Sequence, residues 1–382
     1  MAASALLGVP WREAPGLLPG LALAAAVMVA AHFLAGILGR GVLRLQGIDP
    51  VGRPSPVSGV MMAIVIGMFA ANMVGVSKTF GPGLSFAMKK VLRLGIILVG
   101  IRLSAYDVAA LGALAAPVVA VIVIVALVVT TAFARRVGVS ENLGTLAAAS
   151  TAICGVTAAL AIAPIIEADD REVAYTIANV TLFGALAMFI DPYLAHALFA
   201  NTSSAVGLFL GTGIHDTSQV MGAALSYKEL FHDEAALKVA TVTKLTRNLF
   251  LAVVVPALAF LHARRRGRDG KSGTVRIASL FPVFVLGFVA MAVLRTAGDG
   301  TLARTGFAYG LWDGPAWGRV AKTLGESWAG SALATAMAAV GLSTRFEVFR
   351  GLGAKPLYVG AVSATVVSAL ALLLAAIVGP RM

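Results

Sequence analysis

The sequence predicts an all-α polytopic membrane protein, and three observations carry that reading. Hydrophobic residues make up 59% of the chain against 13% charged, and the mean hydropathy of +0.91 lies far above what a water-soluble domain of this length requires. Apolar runs of about 20 residues, enough to cross hydrocarbon as a helix, recur about eleven times along the 382 residues. Lys and Arg concentrate in the short connections between those runs, where membrane proteins keep topogenic charge. The net charge of +12 is therefore read as topology and not as a nucleic-acid surface.

Taken in order, the first run, Leu17 to Leu38, exceeds a signal-peptide core and follows Arg12 and Glu13, so an uncleaved span is expected. Val57 to Val76 is short, and Asn72 within it is expected to hydrogen-bond between helices. Ala87 to Leu103 carries Lys89, Lys90, Arg93 and Arg102 around an apolar centre. Residues 108–134 form a long clean span containing Pro117 and closed by Arg135 and Arg136, which reads as structural. Asp191 before Pro192 reads as a helix boundary. The connection from Arg295 to Gly318 is a large loop and leaves no room for a soluble domain. Glu326, Trp328 and the small residues of the tenth run suit either a broken helix or close packing. Alternation of sides places the Arg264 to Lys271 cluster and the N-terminus in the cytoplasm, with the C-terminus outside. Cys154 is the only cysteine, so no intrachain disulfide exists.

One stretch organises the rest. Residues 143–167 are apolar enough to span a bilayer, yet Ser150, Thr151, Cys154 and Thr157 cluster at the centre and Gly144, Gly155 and Pro164 interrupt the run. This is the pattern of a broken membrane helix, tolerable only where something polar faces the freed backbone groups, and transporters use such breaks to hold solutes. Close packing of small residues accounts for the same composition.

Two later runs carry residues that are costly in lipid. His215, Asp216, Thr217, Ser218 and Gln219 are consecutive within an apolar segment. His215 can change protonation near neutral pH with Asp216 beside it as a stabilising anion; a satisfied hydrogen-bonded knot or a re-entrant loop is the alternative. In the next run Lys244, Arg247 and Asn248 share a helical face. Two buried cations need anions, and the candidates are Asp216, Glu326 or a substrate oxyanion matched to guanidinium geometry. An internal echo relates Leu143-Gly144-Thr145 to Leu210-Gly211-Thr212, and EVAYTIANVT from Glu172 to EAALKVATVT from Glu234. Duplicated helical bundles are the usual source of such matches.

Five blocks, VLRLGIILVGIRLS at 91–104, STAICGVTAALAIAPII at 150–166, GTGIHDTSQV at 211–220, KLTRNLFL at 244–251 and AMAAVGLSTRF at 336–346, run in order over nearly the whole chain. Together they resemble the YeiH family, bacterial inner-membrane proteins named for sulfate export, itself similar to the superfamily of cation/proton antiporters and bile-acid symporters. The resemblance implies inverted five-helix repeats over 57–195 and 203–378, an extra N-terminal helix at 17–39, and two broken helices crossing near the midplane, expected at 143–167 and in the tenth run. The Gly144/Gly211 echo does not fit that pairing. A homodimer is implied by the superfamily alone. The chain has no pair of adjacent mid-membrane acidic residues near 154, so cation exchange is disfavoured.

The function these features support is secondary active transport of a small sulfur oxyanion or related organic anion, such as sulfate, sulfite or a sulfonate, by alternating access, with export the direction implied by the resemblance. Ser150, Thr151, Cys154, Gly155, Thr157, Thr217, Ser218, Lys244, Arg247 and Asn248 are the candidate substrate contacts, and His215 and Asp216 the candidate proton-coupling groups. No nucleotide-binding loop GxxxxGK[ST] occurs. An uncoupled anion channel would share the same basic residues. An intramembrane enzyme would have only Cys154 and His215 to use, with no HExxH and no second histidine at ligand spacing, so no catalysis, metal or cofactor is expected.

Overall fold

The computed structural model describes residues 14–51, 55–265, 282–347 and 353–382. Arg12, Glu13, Arg53 and the part of the basic cluster from Arg266 to Lys271 lie outside the described residues. Regular structure among the described residues is helical, apart from one isolated bridge between Ala308 and Trp312.

Among the described residues, six helices are long and apolar enough to cross a membrane: Ala14–Leu45, Ala105–Val137, Asp170–Phe199, Glu234–His262, Val283–Thr305 and Ala354–Arg381. The other runs expected as spans are short or interrupted. Helix α1 is Ala14–Leu45, and α2, Gly59–Phe69, ends in a wide π turn at Ala70–Val74. Another π turn, Ala87–Val91, joins α3 (Gly81–Phe86) to α4 (Leu92–Val99). The long α5 is Ala105–Val137; α6 (Glu141–Ala152) and α7 (Val156–Ile162) are two halves of one interrupted run, followed by α8 (Asp170–Phe199). The pattern then recurs: α9 (Ser203–Gly213) and α10 (Thr217–Phe231) are again two halves, followed by α11 (Glu234–Leu249) and α12 (Leu251–Arg265). Helices α13 (Val283–Thr305), α14 (Gly314–Lys322), α15 (Ala329–Ser343) and α16 (Ala354–Val378) complete the chain.

Three sequence expectations are corrected. The tenth run is not broken: α14 continues through a π turn at Thr323–Trp328 into α15, because small residues there allow close packing without freeing backbone groups. The second interruption falls at residues 214–216 instead. Asp191 is no boundary residue, since it is buried inside α8 with Pro192 and the helix runs on to Phe199. Residues 295–305, expected in a loop, belong to α13.

The chain forms two compact units interleaved in sequence. Unit 1 comprises Met1–Val108, Leu225–Asp233 and Phe284–Phe346, and unit 2 comprises Ala109–Ala224, Glu234–Val283 and Glu347–Met382. Within unit 1, α15 packs on α1, α2 and α4. A Cβ on Gly341 would lie 2.4 Å from the Ile64 carbonyl oxygen, so α15 and α2 approach backbone to backbone, as small residues permit in membranes. Asn72 joins the same helices: Nδ2 donates to the Met68 and Thr344 carbonyls at 2.8 Å, and its Oδ1 accepts from Phe346 N at 2.7 Å. Glu326 pairs with Arg102 at 3.9 Å and Lys228 at 3.7 Å.

In unit 2, α9 packs against α11, α16 and α8. The starts of α6 and α8 are fixed by side-chain caps. Ser140 Oγ accepts from Leu143 N at 3.2 Å, and Asp169 with Glu172 forms a reciprocal capping box of 2.8 and 3.1 Å. The acidic stretch at 167–172 thus has a local structural use.

Gly341→Val should lower the thermal stability of the purified protein by about 1–3 kcal/mol or more through overpacking. Gly330→Ala, at the second residue of the same helix and facing open space, should lower it not at all; thermal unfolding in detergent compares the two.

Candidate functional site

Both interruptions in unit 2 follow from local sequence. Helix α6 stops at Ala152 because Ile153 leaves the helical region (φ −119, ψ −86) and Gly155 adopts φ 55, ψ −117, a conformation that side chains rarely tolerate. Helix α9 stops at Gly213, where Ile214 turns extended (φ −85, ψ 137). Each stop frees carbonyls that water would otherwise solvate.

Two side chains of α11 accept the task for both ends. Lys244 Nζ donates to the carbonyls of Ile153 at 3.3 Å, Ile214 at 3.0 Å and His215 at 2.5 Å. Three acceptors require three N–H donors, so the group is an ammonium. Arg247 donates from Nε to the Ala152 carbonyl at 2.8 Å, from Nη1 to those of Thr212 at 2.7 Å and Ile214 at 3.2 Å, and from Nη2 to that of Thr151. Both cations are fully buried. They lie at the C-terminal, negative ends of α6 and α9, where cations are stabilised by the helix dipole. The groups in direct contact with them are backbone carbonyls; of the anions sought from the sequence, Asp216 acts on Lys244 through charge without an ion pair, and Glu326 pairs with Arg102 and Lys228 instead.

Asp216 is occupied elsewhere. Its Oδ1 accepts from Ser218 N at 2.8 Å and from Ser218 Oγ at 2.5 Å, while Asp216 N donates to Gln219 Oε1 at 3.3 Å. The carboxylate thereby caps the first turn of α10 and lies against Gly155, where a Cβ would meet Asp216 Oδ2 at 3.3 Å. It does not hold His215, whose Nδ1 is buried without a hydrogen-bond partner among the described residues. Asn248 Nδ2 donates to Thr217 Oγ1 at 3.2 Å, and its Oδ1 is buried and unpartnered. Ser150 Oγ is likewise buried and unpartnered. Thr157 is exposed, and its side chain hydrogen-bonds with that of Cys154. Cys154 is buried, and no hydrogen bond links it to His215.

Beside the interruptions lies a narrow cleft whose cavity volume of about 10 Å³ holds about one water, lined by Ala147, Thr151, Thr176, Asn179, Phe183, His215 and their neighbours. Asn179 Nδ2 donates to the Pro356 carbonyl at 2.9 Å, leaving Oδ1 buried and unpartnered. Thr176 Oγ1 donates to the Glu172 carbonyl at 2.9 Å. The structure thus brings Thr151 and His215 to one cleft, places Lys244, Arg247 and Gly155 behind it at the breaks, and adds Thr176 and Asn179, which sequence reasoning missed. The signal was present: Asn179 is an amide within the apolar stretch Ile177-Ala178-Asn179-Val180. No group of three or more His, Cys, Asp or Glu able to hold a metal occurs among the described residues.

The family model for conserved hypothetical protein 698 matches residues 19–360. The chain belongs to this family. It is the YeiH family to which the five sequence blocks point. Among similar proteins, UPF0324 membrane protein TauZ of Paracoccus denitrificans is 34% identical over 284 residues, covering 73% of this chain and 76% of the relative. A UPF0324 membrane protein of Nitratidesulfovibrio vulgaris is 31% identical over 341 residues, 88% of this chain and 86% of its own. Another, from Bacillus cereus, is 30% identical over 311 residues, 81% and 84% of the respective chains. No solved structure matches. The names of these relatives and the six long apolar helices identify a membrane protein.

Arg247→Lys should destabilise the protein, because a lysine lacks the planar fork that reaches both helix ends and each buried carbonyl left unpaired costs about 1–3 kcal/mol. Gly155→Ala should cost a similar ~1–3 kcal/mol through backbone strain. Thermal unfolding of the purified variants reads both losses.

Proposed function

We propose that the protein is a secondary active transporter of a small anion, a sulfur oxyanion such as sulfate or sulfite or an organic sulfonate, working by alternating access in a bacterial inner membrane, with export its direction. The observation that carries this reading is the meeting of two interrupted helices beside one narrow cleft that has Thr151, Asn179 and His215 in its lining, with the freed carbonyls tied off by Lys244 and Arg247. Backbone broken at membrane depth is tolerated where it lines a cavity, and carriers place their solutes at such breaks.

In this reading the substrate meets neutral groups first. Thr151 and His215 face it across the cleft, and Asn179 has only the second hydrogen of its Nδ2 to offer, the first being held by the Pro356 carbonyl. Lys244 and Arg247 act through space and through the backbone they hold, because their donors are already engaged with carbonyls. Asp216 and His215 remain the proton-coupling candidates within unit 2. The inverted repeats and the dimer belong to the same proposal and rest on the superfamily resemblance.

The test is uptake of radiolabelled sulfate and sulfite by the purified protein in lipid vesicles, with and without an imposed proton gradient. Saturable, gradient-dependent uptake is expected; conductive, non-saturating flux would replace the carrier by a channel. Thr151→Val should raise the half-saturating concentration about tenfold, on the order of one lost hydrogen bond to a charged group, with stability unchanged; Asn179→Ala should raise it likewise and also lower stability by about 1–3 kcal/mol, because the Pro356 carbonyl loses its donor. Gly360→Leu, filling the cleft against Asn179 and Phe183, should abolish uptake.

A further inference from the structure

Unit 1 contains an imidazole–carboxylate pair that none of the preceding roles uses. His32, on α1, sets Nδ1 2.9 Å from the carbonyl oxygen of Met28, one turn earlier in the same helix. A carbonyl only accepts, so Nδ1 carries the proton, and in a neutral ring Nε2 bears a lone pair. That Nε2 faces Oε1 of Glu229 at 3.5 Å. The other oxygen of Glu229 accepts from Ser58 Oγ at 2.7 Å and from Val60 N at 3.1 Å, at the start of α2. Two lone pairs would therefore oppose each other unless a proton lies on one of them.

The setting is shaped for the ring. Ser58 also caps α2, its Oγ accepting from Met61 N at 3.1 Å, and it is almost fully buried. The imidazole lies flat on the backbone of Gly59, where a Cβ would come within 2.5 Å of Cδ2 and 2.8 Å of Nε2. Other ionisable groups are few on the elements around the pair. Helices α2, α3 and α15, which pack on α1, contain no titratable side chain. On α1 itself Arg40 and Arg44 stand more than two turns away, and Lys78 lies in the 3-10 turn Lys78–Phe80 that also packs on α1. Beside Glu229 on its own helix, Lys228 pairs with Glu326 and Tyr227 is phenolic, with His232 and Asp233 following the helix end. Lys89 and Lys90 occupy the π turn after α3.

We propose that His32 and Glu229 form a proton-binding site of unit 1, holding one proton between Nε2 and Oε1 and joining α1 to residues 225–233 only while that proton is bound. Uptake of a proton from water forms the imidazolium–carboxylate pair; its return to water leaves a neutral ring against a carboxylate, and the attraction between the two segments is lost. As the proton-bound form is the one with the attractive contact, the stabilisation is present at low pH and is lost as pH rises through the titration of the pair. Its use as a coupling site for transport rests on the carrier reading above; its existence as a proton site does not.

Two measurements separate those claims. Thermal unfolding of the purified protein in detergent, scanned from about pH 5 to about pH 9 around the ordinary histidine range, should show a fall in stability with rising pH. Glu229→Gln and His32→Gln should each remove that same inflection, and the double variant should remove nothing more. Ser58→Ala, which deletes one donor to the carboxylate and leaves the pair in place, should displace the inflection without removing it. An inflection that survives in Glu229→Gln, or that Ser58→Ala leaves unmoved, overturns the site. In vesicles, Glu229→Gln should retain exchange of internal for external sulfate while losing its acceleration by a proton gradient; unchanged acceleration overturns the coupling role while the unfolding data still decide the site.

Discussion

A backbone carbonyl with no donor is the constraint from which the centre of unit 2 follows. Where a helix stops in a medium without water, each freed carbonyl needs a partner or costs several kcal/mol. Here Thr151, Ala152 and Ile153 at one stop, and Thr212, Ile214 and His215 at the other, expose theirs together. A guanidinium and an ammonium one turn apart on α11 satisfy them all. Two fully buried cations that look like an anion site in sequence are, in space, the means of keeping two helices broken. Under the proposed carrier function, charge for a substrate is then supplied at one remove, and selectivity falls to the hydroxyl and imidazole groups at the cleft.

The helical class was legible because length and apolarity are summed properties, little affected by local detail. The break at Gly155 was legible too, since a glycine with hydroxyls clustered around it, inside an otherwise apolar run, marks backbone that leaves the helix. The second break was misplaced because Glu326, Trp328 and the small residues of the tenth run suit a break as well as close packing; the real stop, at Ile214, borders the cluster at 215–219 that was read for proton coupling, with a polar knot or a re-entrant loop as the alternative. That knot does exist in the hydrogen bonds of Asp216 with Ser218 and Gln219. The partners of Lys244 and Arg247 were not legible at all. Backbone carbonyls are present at every residue, so no letter of the sequence marks the ones left unpaired. Asn179 escaped because a single amide in an apolar helix usually serves helix packing, and only the cleft distinguishes it.

The order of elements recurs around the two stops. Two half-helices followed by a further helix occur from Glu141 to Phe199 and again from Ser203 to Leu249. The match between EVAYTIANVT and EAALKVATVT falls in the unbroken members, α8 and α11. The two helices differ in what they present: α8 turns Thr176 and Asn179 to the cleft, whereas α11 turns Lys244 and Arg247 to the carbonyls.

The fork of Arg247 reaches Thr151 and Ala152 on one side and Thr212 and Ile214 on the other. A single planar group riveting both stops makes them one mechanical part. Neither stop can wind up into continuous helix, or slide along its axis, without dragging the other or tearing several hydrogen bonds from a buried cation. Whatever motion the protein makes, that junction travels as a solid piece, and flexibility has to be sought in the segments that border it.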